Sequence, residues 1–281
     1  MQRDAHELNP GCPDFWDHFY DVEDGRLQAK EMRHRKAREI AERGSLMDHY
    51  EWFMEFSRYE AALKACLRRA PTALAHGAAT RVLHVGCGNS DFCDHVGELM
   101  AGLGGAPSPS ATAAPPVVLN IDICKNIIDH LASQFPTRLY AVGNCCDLHV
   151  SPSPTPTTAA SWYVVDAHRH LQTVVQSSVD VVFDKGTADA RLSSFAGDYN
   201  PNMESYMAEV LKVLRPGGLL FLISINSEDV VTPYALSAED GAKALQLVYS
   251  CVIELDARET QHLRVETLGS RYSVYGYIVT T

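Results

Sequence analysis

No stretch of this sequence is long and apolar enough to cross a membrane. The most apolar one, Leu219 to Ile225 behind Gly217-Gly218, falls far short of the roughly 18 to 20 residues a spanning helix needs. The first eleven residues, MQRDAHELNPG, lack the apolar core of a secretory signal and the Arg/Ser-rich, acid-poor character of a transit peptide. The cytoplasm is therefore the expected compartment, with the nucleus open. Cysteine occurs eight times, but never as a CxxC pair and with no histidine at zinc-finger spacing, so neither a disulfide framework nor a structural zinc is signalled. Basic residues are outnumbered, 24 Lys and Arg against 35 Asp and Glu, giving a net charge of −11. That balance disfavours a nucleic-acid surface; it suits encounter with a basic partner, or simply keeps the chain in solution. There is no GxxxxGK(S/T) phosphate loop and no internal repeat.

The composition, 46% apolar and 21% charged over 281 residues, is that of a globular chain with one large domain and some additional segments. Residues 1–14 are polar, contain Pro10, Gly11 and Pro13, and are expected to be disordered. Residues 15–76 read as an N-terminal helical extension or lid. Within it, Lys30 to Arg43 carries six basic and three acidic residues around a thin apolar side, and Leu46 to Leu67 has apolar residues near helical spacing.

Beyond Gly77 the pattern alternates. RVLHVG (81–86), VVLNID (117–122), SWYVVD (161–166), VDVVFD (179–184) and GLLFLISI (218–225) read as strands. Helices are expected from Ser90 to about Leu103, through CKNIIDHLASQF, and over Met203 to Leu214, which Pro216-Gly217 stops. A further helix over Ser237 to Gln246 and two closing strands, 248–255 and 272–280, complete the pattern. Helices between strands imply crossovers and a mostly parallel, doubly wound α/β sheet of seven strands, Rossmann-like, with an antiparallel edge. The domain then spans 77–281, with Pro/Ser/Thr/Ala-rich insertions at 104–116 and 151–160.

The chemistry concentrates at the strand ends. LHVGCGNSDF is a strand running through Gly86-Cys87-Gly88 into a helix, a turn whose glycines let backbone N–H groups approach a ligand. Asp91 stands where a dinucleotide-binding turn has its third glycine; a carboxylate there would repel a pyrophosphate, whereas S-adenosylmethionine brings a sulfonium and no phosphate. Asp122 ends the second strand, placed either to accept both hydroxyls of a ribose or to cap the helix at Cys124. Asp166 stands at the level of an adenine amino group, with Asp147 in GNCCDL as its rival. His84 reads as a core histidine. Cys87 has no base at companion spacing and Asp166-Ala167-His168-Arg169-His170 has too few ligands, so no nucleophilic cysteine and no metal are expected.

GCGNS, an Asp-ended second strand, VDVVFDKGTADA and then LRPGG together resemble the seven-strand methyltransferases that use S-adenosylmethionine. Within them, Asp184-Lys185-Gly186-Thr187, FWDHFY (15–20) and YEWF (50–53) resemble the methyltransferase-like group that modifies lysines of translation elongation factor 1-alpha, although Phe19 stands where that group has arginine. The resemblance covers about residues 15 to 225. It implies that Trp16, Tyr20 and Tyr50 close over the methionine end of the cofactor, where Gly86 and Gly88 line it. It further implies that Asp122-Ile123 meet the ribose, Asp166-Ala167 the adenine, and that Lys185 lies beside the methionyl carboxylate. Asp184 is the candidate for orienting an incoming ammonium, with capping of its own turn as the alternative. The function expected is methylation of a protein lysine, with elongation factor 1-alpha as candidate partner. A small-molecule methyltransferase and a non-catalytic cofactor-binding scaffold remain as alternatives.

Overall fold

The computed structural model describes residues 16, 53–74, 79–90, 92–103, 115–152, 162–193, 199–255 and 271–281. The expectations for residues 1–14, for the helix from Lys30 to Arg43, and for Tyr20, Tyr50 and Asp91 lie outside the described residues, as does most of both insertions.

The first described helix, α1 (Phe56–Arg69), buries Phe56, Tyr59, Ala62, Leu63, Cys66 and Leu67, the three-and-four spacing of one helical face. β1 (Arg81–Val85), α2 (Phe92–Leu103), β2 (Val117–Asp122), α3 (Lys125–Gln134) and β3 (Leu139–Val142) follow as a wound α/β unit. The chain then makes β4 (Val150–Ser151), β5 (Tyr163–Val165) and β6 (Leu171–Val175), which form a separate three-stranded sheet. It returns through β7 (Val179–Lys185), α4 (Thr187–Ser193), α5 (Pro201–Val213) and β8 (Leu214–Ser224). It ends with α6 (Glu228–Ser237), β9 (Glu239–Asp240), β10 (Lys243–Glu254) and β11 (Arg271–Thr280).

The main sheet has the order β3-β2-β1-β7-β8-β11-β10-β9. β3 through β8 in that order are parallel, and β11 inserts antiparallel between β8 and β10, so the mostly parallel sheet with its antiparallel edge is as expected. Every residue of β7 is buried, as a central strand covered on both faces requires. On one face Tyr59, Phe92, Phe183 and Phe221 form an aromatic column: Phe92 stacks on Phe183 at 3.7 Å between ring centroids, and Phe183 on Phe221 at 5.6 Å. On the other, α5 packs Met203, Tyr206, Met207 and Val210 against the sheet. Asn200 starts α5 by accepting from the N–H groups of Asn202 and Met203, and Pro201 supplies the preset first turn.

Two sequence expectations are corrected. LYAV, not SWYVVD, is the strand beside β2, and the main sheet keeps seven full strands, with the two-residue β9 added at its edge. Residues 163–165 alternate half-buried and exposed, which fits a surface hairpin and not a strand covered on both sides. The helix expected over Ser237 to Gln246 lies earlier, at Glu228–Ser237; Asp240-Gly241 turns the chain, with Gly241 at φ 63°, directly into β10.

Candidate functional site

β1 hands the chain to β2 on one side, and the later β7 lies on its other side, so a crevice opens at the carboxyl ends of β1 and β7. A cavity of about 250 Å³ occupies it. Its floor is the turn after β1. Gly86 and Gly88 take left-handed φ values of 55° and 47°, and the N–H of Cys87 donates to Ile121 O at 2.9 Å, fastening the turn to β2. The hydroxyl of Thr187 donates to Val85 O at 3.0 Å and presses on Gly86, where an added Cβ would sit 2.0 Å from Thr187 Oγ1.

Asp122, at the end of β2, lines the cavity. Its Oδ2 accepts from the N–H of Gly88 and its Oδ1 from the N–H of Cys124, each at 2.9 Å. The carboxylate thus holds the glycine turn and begins α3 together, and each oxygen keeps a second lone pair. Burial pushes its pKa up, and these N–H groups oppose the rise.

Asp184-Lys185-Gly186-Thr187 forms the opposite wall, and its members divide. Lys185, Gly186 and Thr187 line the cavity; Asp184 does not. Asp184 is fully buried: Oδ1 accepts from the N–H of Thr187 at 2.8 Å, while Oδ2 accepts from the N–H of Ala188 at 3.0 Å and from the Tyr206 hydroxyl at 2.6 Å. Its geometry is that of a cap for its own turn, the alternative to an ammonium-orienting role. Burial raises its pKa to about 7, against the opposing Tyr206 hydroxyl, and lowers that of Lys185 to about 7.

Of the other predicted residues, Trp16 and Ile123 line the cavity with Gly86, Gly88 and Asp122. Asp166 and Ala167 lie elsewhere, in the turn joining β5 to β6. There the Asp166 carboxylate accepts from the N–H of His170, which with that of His168 lowers its pKa. Asp147 is exposed beside His149. Gly143 and Cys145, directly after β3, reach the cavity instead, because β3 is the strand paired with β2. His84 is a core histidine, its Nδ1 3.0 Å from Asn120 Oδ1, with burial lowering its pKa to about 4.

The sequence reading missed Phe53, Asp189 and Ile225. Phe53 takes φ 69°, an uncommon conformation for a bulky residue, and its ring fills the space where a side chain at Gly186 would lie. A cavity with a glycine floor, a strand-end carboxylate and the side chains of Trp16, Phe53, Ile123 and Ile225 in its walls suits a nucleoside without phosphates. A pyrophosphate would bring two further anions beside Asp122 and Asp189.

Residues 83–222 match the family model described as a methyltransferase domain. No curated protein matches the chain. Among solved structures, it is similar to the N-methyltransferase NodS of Bradyrhizobium japonicum bound to S-adenosyl-L-homocysteine, at 14% identity, 78% of this chain, 87% of that one and a TM-score of 0.40. It is also similar to a TehB-like methyltransferase of Corynebacterium glutamicum, at 15% identity, 90% of this chain, 98% of that one and a TM-score of 0.39. A third is the magnesium protoporphyrin IX methyltransferase of Synechocystis with bound S-adenosylmethionine, at 9% identity, 100% of both chains and a TM-score of 0.41.

Proposed function

We propose, from the premise that this chain carries an S-adenosylmethionine-dependent methyltransferase domain, that it methylates the side-chain amine of a protein lysine, with translation elongation factor 1-alpha as the candidate substrate. The observation that carries the reading is the Asp-Lys-Gly-Thr element, which sets Lys185, Gly186 and Thr187 into the cavity wall over a turn fixed by buried Asp184. A nucleic-acid amino-methyltransferase would carry an Asn/Asp-Pro-Pro-Tyr/Phe element after this strand, and the sequence has none there.

The cofactor supplies a methyl group activated on a sulfonium. The chain's own residues hold, orient and exclude water. Asp122 accepts ribose hydroxyls with its remaining lone pairs, and Gly143 and Cys145 flank the base. Trp16 and Phe53 close the apolar side, and Lys185 lies where it can pair with the methionyl carboxylate. That pairing would return Lys185 from about 7 towards its ordinary range. A lysine acceptor must lose a proton first, which costs about 4 to 5 kcal/mol at neutral pH for an ordinary amine. A dry cavity beside a cation lowers that cost. The net charge of −11 speeds encounter with a basic protein, an effect that added salt weakens.

Asp122→Ala is expected to weaken S-adenosylhomocysteine binding about 100-fold or more in a titration calorimeter, since two charge-assisted contacts are lost. Wild-type affinity in that variant would remove Asp122 from the ribose site. The acceptor class is tested by incubating the purified chain with methyl-labelled cofactor and cell extract, then locating the label by mass spectrometry. Label on a lysine of a protein near the size of elongation factor 1-alpha is expected; label confined to small metabolites would replace this reading by a small-molecule methyltransferase.

A further inference from the structure

Asp189 is the cavity residue with one oxygen committed and one in reserve. Its Oδ1 accepts three hydrogen bonds: from the Ser224 hydroxyl at 2.6 Å, the N–H of Ile225 at 3.1 Å and the Asn226 side-chain amide at 2.6 Å. Its Oδ2 is fully buried and accepts no hydrogen bond among the described residues. The residue is 8% exposed and lines the cavity. A buried carboxylate oxygen left without a donor is costly unless a ligand supplies one. Asp184 offers the contrast, since both of its oxygens are engaged by the protein itself.

Position says which ligand. The groups fixing Asp189 sit at the end of β8, and the sheet order places β1 and β7 between β2 and β8. With strands about 4.8 Å apart, the end of β8 lies about 14 Å along the sheet edge from the end of β2. A ribose held at Asp122 on β2, joined by a single carbon to the sulfonium sulfur, would leave Asp189 farther along the sheet edge than the sulfur.

We propose that Asp189 receives the acceptor amine, its Oδ2 taking an N–H of the incoming lysine nitrogen and turning the nitrogen lone pair towards the methyl carbon. This rests on the reading that the acceptor is an amine. The lysine ammonium gives one proton to water. The neutral nitrogen then forms the N–C bond with its lone pair as the S–C bond breaks, with the bonding electrons staying on sulfur. The positive charge passes from sulfur to nitrogen, and the product is a methylated ammonium beside the Asp189 carboxylate. A fixed anion placed where positive charge develops favours the transition state over the neutral amine. Burial raises the pKa of Asp189 to about 6, so the group is still ionised in neutral solution.

Asp189→Asn is the test, because the amide oxygen still accepts from Ser224, Ile225 and Asn226 while the amide nitrogen can only donate where Oδ2 accepted. The expected result is a fall in kcat/KM for the lysine substrate of about 100-fold or more, with unchanged S-adenosylhomocysteine affinity and a melting temperature at neutral pH no lower than that of the wild type, since the amide buries no charge. Ser224→Ala, which loosens the carboxylate but leaves Oδ2 in place, is expected to cost far less activity. Wild-type turnover in Asp189→Asn overturns the assignment. So does lost S-adenosylhomocysteine binding in that variant, which would mean that Oδ2 serves the cofactor's own amino group. If the wild-type chain places its label on something other than an amine, the lysine reading itself fails; that result is separable, because it is read before any variant is made.

Discussion

Gly86→Ala unfolds more easily than the wild type by about 2 to 5 kcal/mol, combining the left-handed backbone penalty with overpacking. The same variant binds S-adenosylhomocysteine too weakly for calorimetry to detect. Both effects come from one methyl group. Gly86 sits at φ 55°, and an added Cβ would lie 2.0 Å from Thr187 Oγ1 and about as close as contact permits, 3.0 and 3.1 Å, to the rest of that side chain. Thr187 cannot step aside cheaply. Its hydroxyl is bonded to Val85 O and its N–H to Asp184, so relief requires shifting the turn between β7 and α4, which forms the opposite cavity wall. Urea unfolding followed by far-ultraviolet circular dichroism checks the first effect. Wild-type stability together with wild-type affinity would show that this turn is not packed as described.

Asp184→Ala has the second large effect, a loss of about 3 to 9 kcal/mol, because it strands two buried N–H groups and the Tyr206 hydroxyl at about 1 to 3 kcal/mol each. The pH dependence identifies the group. Its folded pKa is raised from 3.8 to about 7, so the native state holds this proton more tightly than the unfolded chain does. The stabilisation is complete below the unfolded value and is lost as pH rises through about 7, an amount on the order of 4 kcal/mol. Asp189, raised to about 6, contributes in the same direction over a narrower window. Lys185, lowered to about 7, acts between about 7 and 10.5, where stability rises with pH. The difference in unfolding free energy between wild type and Asp184→Asn should therefore shrink as pH rises from 4 to 7. A difference independent of pH over that interval would contradict the buried, proton-binding role given to Asp184. Methyl transfer per folded molecule should survive Asp184→Asn, since Asp184 does not line the cavity.

Local features were legible in the sequence and crossing features were not. β1, β2, β7 and β8 are short apolar runs bounded by glycine, proline or aspartate, and the residues that line the cavity where those strands end, Gly86, Gly88, Asp122, Ile123 and Lys185, follow from the runs themselves. β3 escaped as a main-sheet strand because LYAV is only four residues long and begins with the exposed Leu139. Which of two candidate segments pairs with β2 is decided by tertiary register. That one choice is why Gly143 and Cys145 line the cavity and Asp166-Ala167 do not. The segment from Lys243 to Gln246 carries Ala and Leu, which suit a helix, yet it pairs with β11 as part of a ladder that runs on to Glu254. The Asp-Gly at 240–241 was the overlooked turn signal. Asp189 could not be singled out from its motif, since its distinguishing property, one oxygen tied to the end of β8 and the other buried without a hydrogen bond among the described residues, exists only once β7 and β8 lie side by side.

The central claim is that the crevice at the ends of β1 and β7 holds a cationic, phosphate-free nucleoside. Isothermal titration of the wild-type chain with S-adenosylmethionine, S-adenosylhomocysteine and NAD tests it most directly. One-to-one binding of both sulfur compounds with no heat from NAD is the result the structure predicts. Binding of NAD with none of either sulfur compound would contradict it.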